Sequence, residues 1–163
     1  MLENLSIDLN LLDNVAVCDG SCLKNPGPGG WAVVHIKDGQ TKSYSGSKQD
    51  TTNNIMELAG IIVALKLKPK TIYSDSTYCV NGINSWLRSW KLYGWKNARK
   101  EPVKNLESWQ EIDKLLYPGL TVKWIKGHAA ESDAVDQLSL ALIKLQNYVD
   151  HLARASAKLN HNY

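Results

Sequence analysis

Four acidic residues constrain this chain more than any other feature. They are Asp19 in Cys18-Asp19-Gly20-Ser21-Cys22, Glu57 in Asn53-Asn54-Ile55-Met56-Glu57-Leu58, Asp75 in Tyr73-Ser74-Asp75-Ser76, and Asp150 in Val149-Asp150-His151-Leu152-Ala153-Arg154-Ala155. Three of them adjoin apolar runs that read as core strands or helices. A carboxylate beside a core is costly unless it is paired or holds a cation. One alone reads as a surface charge or a helix cap. Several from distant parts of one chain point to a shared cation, and their oxygen-only donor set suits Mg²⁺ or Mn²⁺.

The pattern between these residues predicts a single α/β domain. Residues 15–22 alternate as a strand with Val15, Val17 and Asp19 on one face. Residues 24–30, Lys-Asn-Pro-Gly-Pro-Gly-Gly, read as turn punctuation. Residues 31–36 form a second strand, Asp38-Gly39 signals a hairpin, and residues 41–47 return as a third, so the chain opens as an antiparallel meander. Thr51 or Thr52 caps a helix through Leu65 with Ile55, Leu58, Ile62 and Leu65 on its apolar side. Residues 71–74 are a fourth strand with Asp75 at its carboxyl end, where ligands of α/β sheets commonly sit. A helix from Ser76, a helix over 106–116, a fifth strand over 120–125 and a loop from Gly127-His128 follow. The last segment is helical, with Leu138, Leu142, Leu145, Val149 and Leu152 as its stripe. Residues 1–14 are a short extension with room for one helical turn.

The length of 163 residues fits one domain of 15–163 behind that extension, and 44% apolar content supports a core. Net charge is only +3, but its distribution is uneven. Residues 86–104 carry six basic side chains (Arg88, Lys91, Lys96, Arg99, Lys100, Lys104) against Glu101 alone, leaving 13 basic and 15 acidic residues elsewhere. One segment therefore holds the positive excess, as a polyanion-binding surface requires. The three cysteines match no zinc spacing and form no obvious bridge, which predicts reduced thiols and a cytoplasmic protein. No apolar run reaches 18 residues, and Met1-Leu2-Glu3-Asn4 lacks the features of a signal peptide, so no membrane association is expected.

Taken in order, these motifs resemble those of the type 1 ribonucleases H, which cut RNA in RNA–DNA hybrids. The resemblance is carried by residues 18–23 with 25–31, then 52–58, 74–76, Trp124-Ile125-Lys126-Gly127-His128-Ala129, and 150–155, and it covers about residues 15–158. The Trp-rich segment from Trp86 to Trp109 is similar to the basic handle of bacterial members. The resemblance implies a five-stranded mixed sheet, its first three strands antiparallel, flanked by helices.

It also implies that Asp19, Glu57, Asp75 and Asp150 bind metal and that His128 assists proton transfer or product release. Two Mg²⁺ ions roughly 4 Å apart would activate a water and stabilise the leaving 3′-oxygen, giving 5′-phosphate and 3′-hydroxyl ends, with Mn²⁺ as a substitute. Four carboxylates without cations would repel one another and shift their pKa values upward. The chain departs from the family pattern after His128, where 21 residues precede Asp150. Residues 130–147 then read as an insertion. Asp136 offers a second candidate at more ordinary spacing, and 14 residues of straight helix span about 21 Å, so Asp136 and Asp150 cannot both reach one metal pair. Asp150 lies in the better-matching motif.

Cys22, Asn25, Thr52, Asn53, Asn54 and Thr77 correspond to family positions that contact the hybrid, although Asn and Thr also serve turns and caps for local reasons. In the handle, Trp86 and Trp90 alternate with Arg88, Lys91 and Lys96; the tryptophans also share a face that can anchor the segment inward. The expected partner is an RNA–DNA hybrid bound by a monomer. The competing readings are a DNA-cutting relative of the same superfamily, a hybrid-binding module that does not cut, and a domain of a reverse transcriptase.

Overall fold

The computed structural model describes residues 5–161; residues 1–4 of the extension and residues 162–163 lie outside the described residues. Five strands form one mixed sheet: β1 (Val15–Cys22), β2 (Gly27–Lys37), β3 (Gln40–Thr51), β4 (Thr71–Ser74) and β5 (Thr121–Trp124). Their order is β3-β2-β1-β4-β5. β1, β2 and β3 pair antiparallel as the meander predicts, and β4 and β5 continue parallel to β1. No helix among the described residues is long and apolar enough to cross a membrane.

β1 is covered on both sides, and its alternation divides the core in two. Ala16 and Cys18 face α1 (Asn53–Lys66), α2 (Thr77–Asn81), α3 (Leu87–Leu92) and α4 (Leu106–Leu115). Val15 and Val17 face α5 (Gln137–His161). The 3₁₀ turn Leu9–Leu11 of the extension packs its Leu9, with Ile7 and the buried Leu12, against this second core.

The glycine-rich run differs from the turn expected over residues 24–30. Gly27–Gly30 belong to β2, where Gly29 pairs with Cys22 and Gly30 with Ser21. These glycines serve close packing rather than a bend. A β-carbon on Gly29 would lie 2.5 Å from Thr51 Cγ2, and one on Gly30 would lie 2.4 Å from the Ala153 carbonyl of α5. β3 accordingly runs past Ser47 to Thr51, opposite Gly27.

The helices also show smaller corrections. Thr52 caps α1, its Oγ1 accepting from Ile55 N at 3.2 Å. The buried face of α1 is Leu58, Ile61, Ala64 and Leu65, with Ile55 and Ile62 half-buried at its margin. The helix after Ser76 is interrupted by a π turn at Gly82–Trp86, where Gly82 leaves room for the buried Trp109. In α5 the inward row is Ala141, Leu145, Val149, Ala153 and Ala157, a strict four-residue spacing. Small residues in that row let the helix approach β2 closely. Leu138 is exposed, and Leu142 and Leu152 are half-buried at the flank. Residues 137–147 form the first turns of the helix that carries Asp150.

Candidate active site

Asp19 and Asp75 come together because β1 and β4 are adjacent and parallel. Cys18 pairs with Ser74, so Asp19, midway along β1, lies level with Asp75, which follows the carboxyl end of β4. Glu57 reaches this point because α1 starts over the end of β1. Gly20 permits that approach: a β-carbon there would lie 2.3 Å from Glu57 N. The Gly20 N–H donates to Asp19 Oδ1 at 2.9 Å and to Glu57 Oε1. The three carboxylates each bring an oxygen within 4.8 Å of the others.

This cluster is electrostatically unfavourable as a set of free anions. Asp19 is 4% exposed and Glu57 9% exposed. Burial pushes the Asp19 carboxyl far above its ordinary range, aided by the adjacent Glu57 and Asp75 carboxylates. Burial likewise raises Glu57 and Asp75, and the nearby Asp150 charge adds to the rise at Asp75. Among the described residues none of the three has an ion-pair partner. A divalent cation would supply the missing positive charge, and hard carboxylate oxygens at this spacing could hold one.

Asp150 stands beside the triad rather than within it. Its carboxylate is bracketed by Arg154 Nε at 3.3 Å and His128 Nδ1 at 3.8 Å. His128 occupies a left-handed conformation, φ 55°, at the start of the loop after β5. Arg154 Nη2 lies 3.4 Å from His128 Nε2. Asp136 lies elsewhere: fully exposed, it caps the start of α5, its Oδ1 accepting from Ser139 N at 2.7 Å, which lowers its pKa. Motif reading singled out neither Gly20 nor Gly127 nor Arg154 as site-shaping. The usable signal for Arg154 was its i, i+4 spacing from Asp150. Trp124 was also missed; its Nε1 donates to the Asp75 carbonyl at 3.0 Å.

The residues expected to contact substrate differ in exposure and partners. Asn25 Oδ1 accepts from Asn53 N at 3.2 Å, joining the loop after β1 to the start of α1. Asn54 and Thr77 are exposed, Thr52 is committed to its cap, and the Cys22 thiol lies 3.0 Å from the Lys24 carbonyl. All three cysteines are free. In the handle, Trp86, Trp90 and Trp109 form a chain of ring contacts with centroids 5.9 and 5.1 Å apart, leading from the surface to the core. Trp86 is 40% exposed. Lys91 pairs with Asp113 at 3.2 Å, whereas Arg88 and Lys96 are exposed.

Residues 13–157 match the RNase H family model. The chain is 47% identical over 122 residues to a ribonuclease H of Ehrlichia chaffeensis, covering 72% of this chain and 84% of that one. Its fold is similar to the crystal structure of a type 1 RNase H with the type 2 active-site motif, with a TM-score of 0.69 at 26% identity over 91% of this chain and 74% of that one. The fold alone is also shared with a foamy viral protease-reverse transcriptase in complex with RNA/DNA hybrid, with a TM-score of 0.73 at 19% identity over 93% of this chain; the chain spans 21% of that polypeptide.

Proposed function

The chain belongs to the RNase H family, and we propose that this endoribonuclease hydrolyses the RNA strand of RNA–DNA hybrids at the Asp19-Glu57-Asp75 cluster with two Mg²⁺ ions, leaving 5′-phosphate and 3′-hydroxyl ends. The observation that carries the reading is the convergence, within 4.8 Å, of two buried carboxylates (Asp19, Glu57) and the half-buried Asp75, with no ion-pair partner for them among the described residues. Bound there, divalent ions lower the pKa of an attacking water and offset charge on the leaving oxygen; Mn²⁺ meets the same donor set.

Each residue then has a distinct task. Asp19, Glu57 and Asp75 would hold the ions from β1, α1 and the end of β4, and Asp150 would complete the set from α5. His128, on the loop after β5, assists proton transfer or product release. Arg88 and Lys96 hold DNA-strand phosphates beside the exposed Trp86 and the half-buried Trp90. Asn25, Thr52, Asn53, Asn54, Thr77 and the backbone near Cys22 grip the hybrid, where 2′-hydroxyls distinguish RNA from DNA. The reading includes a monomer in the cytoplasm, a reducing setting with which three free thiols agree.

The test is cleavage of a labelled RNA–DNA hybrid with Mg²⁺, with duplex DNA as control, for wild type and Asp19→Asn. Wild type should cut only the RNA strand, and Asp19→Asn should not cut. Cleavage of duplex DNA, or an active Asp19→Asn, sinks the reading.

A further inference from the structure

The loop that begins at His128 is laid along α5 as a ladder of three contacts. His128 faces Asp150 and Arg154, the Ala129 carbonyl accepts from Asn147 Nδ2 at 3.1 Å, and Glu131 pairs with Lys144 at 3.6 Å. Lys144, Asn147, Asp150 and Arg154 fall at spacings of three, three and four, so they share one stripe of the helix. Below Glu131, Ala130 N donates to Asp133 Oδ2 at 3.1 Å and closes the turn that returns the chain to α5. Ala129 is buried and the middle rung is part-buried, while each outer rung has one largely exposed partner, His128 in one and Glu131 in the other.

We propose that Asn147, seconded by Lys144, is a positioning residue: the early turns of α5 brace the loop so that His128 is held over the catalytic cluster. This rests on the role of His128 given above. The geometry assigns the larger share to Asn147. Its hydrogen bond fixes the backbone next to His128, whereas the Lys144–Glu131 pair involves an exposed carboxylate, and such pairs contribute little. A backbone free to move by about 1 Å would forfeit much of what His128 supplies. Segment 137–147, which has no place in the family motifs, then serves the chemistry from outside the site.

The experiment is a double-mutant kinetic cycle on a labelled RNA–DNA hybrid with Mg²⁺, using Asn147→Ala, His128→Ala and the pair, with Asn147→Gln as the conservative variant and Lys144→Ala beside them. Asn147→Ala should lower kcat about tenfold with KM little changed. It should cost nothing further when His128 is already Ala, and Asn147→Gln should recover part of the loss. Lys144→Ala should have a smaller effect in the same direction. If Asn147→Ala leaves kcat unchanged, or costs as much without His128 as with it, the brace is wrong and His128 keeps its role. If His128→Ala itself leaves kcat unchanged, the role of His128 falls, and the brace with it.

Discussion

Asp75 occupies the space that a side chain on Gly127 would need: a β-carbon built there lies 2.4 Å from Asp75 Oδ2. The strand-end carboxylate and the glycine before His128 are therefore packed against each other, although 52 positions separate them in sequence. Gly127→Ala should push the Asp75 carboxylate aside, because that carboxylate is the movable partner. Cleavage should fall on the order of a hundredfold, with the Mg²⁺ requirement shifted upward and the melting temperature little changed. Steady-state kinetics across a Mg²⁺ titration would show it; an unaltered titration would mean that Asp75 is not a metal ligand.

Metal-free stability should depend on pH in the sense opposite to ordinary acid denaturation. Burial raises Asp19, Glu57 and Asp75 above their unfolded values. From about pH 4 upward, where free carboxylates ionise, the folded state therefore holds more protons than the unfolded chain. This contribution is fully present below the unfolded pKa values and is lost as pH rises through the folded ones. In EDTA, melting temperature should fall between about pH 5 and 8, and Asp19→Asn should flatten the slope. Mg²⁺ should restore stability most at the alkaline end, because binding needs the ionised carboxylates. A slope unchanged by both Mg²⁺ and Asp19→Asn would refute this.

The two candidates for the last carboxylate should separate cleanly. Asp150 lies beside His128 and Asp75, whereas Asp136 caps α5 in full solvent. Asp150→Asn should abolish most cleavage while the protein stays folded. Asp136→Asn should remain active with a nearly unchanged melting temperature, since Asn also accepts at a cap. An inactive Asp136→Asn would overturn the assignment.

Handle charges should differ in their contribution. Arg88 and Lys96 are exposed, but Lys91 is offset by Asp113 at 3.2 Å. Arg88→Ala and Lys96→Ala should each raise KM more than they lower kcat, and each should reduce the salt slope of binding by about one. Lys91→Ala should do less. Equal slopes for all three would show that the Asp113 pair opens on binding.

Much of the site was legible because local patterns mark the strands and helices that carry its residues. Alternation in 15–22 and the short run 71–74 placed Asp19 and Asp75, and the Thr52 cap placed Glu57 in the first turns of its helix. The glycines were read less well. A glycine at a turn and a glycine against a neighbouring backbone look alike in one dimension, so Gly29 and Gly30 appeared as punctuation and proved to be strand. The stripe of α5 was misjudged similarly: leucine spacing suggested Leu138 and Leu142, but the sheet lies so close that alanines fill the inward row.

The sequence by itself determined the main strands and helices and their order, because these follow from hydrophobic periodicity and capping along contiguous residues, while the order and content of its motifs pointed to the acidic residues that could meet. Tertiary structure alone decided how close they come: Gly20 under Glu57, Gly127 against Asp75, and the loop from His128 laid on Lys144, Asn147, Asp150 and Arg154. Those relations depend on the separation between packed backbones, a quantity set by many side-chain volumes at once and written in no single segment of the chain.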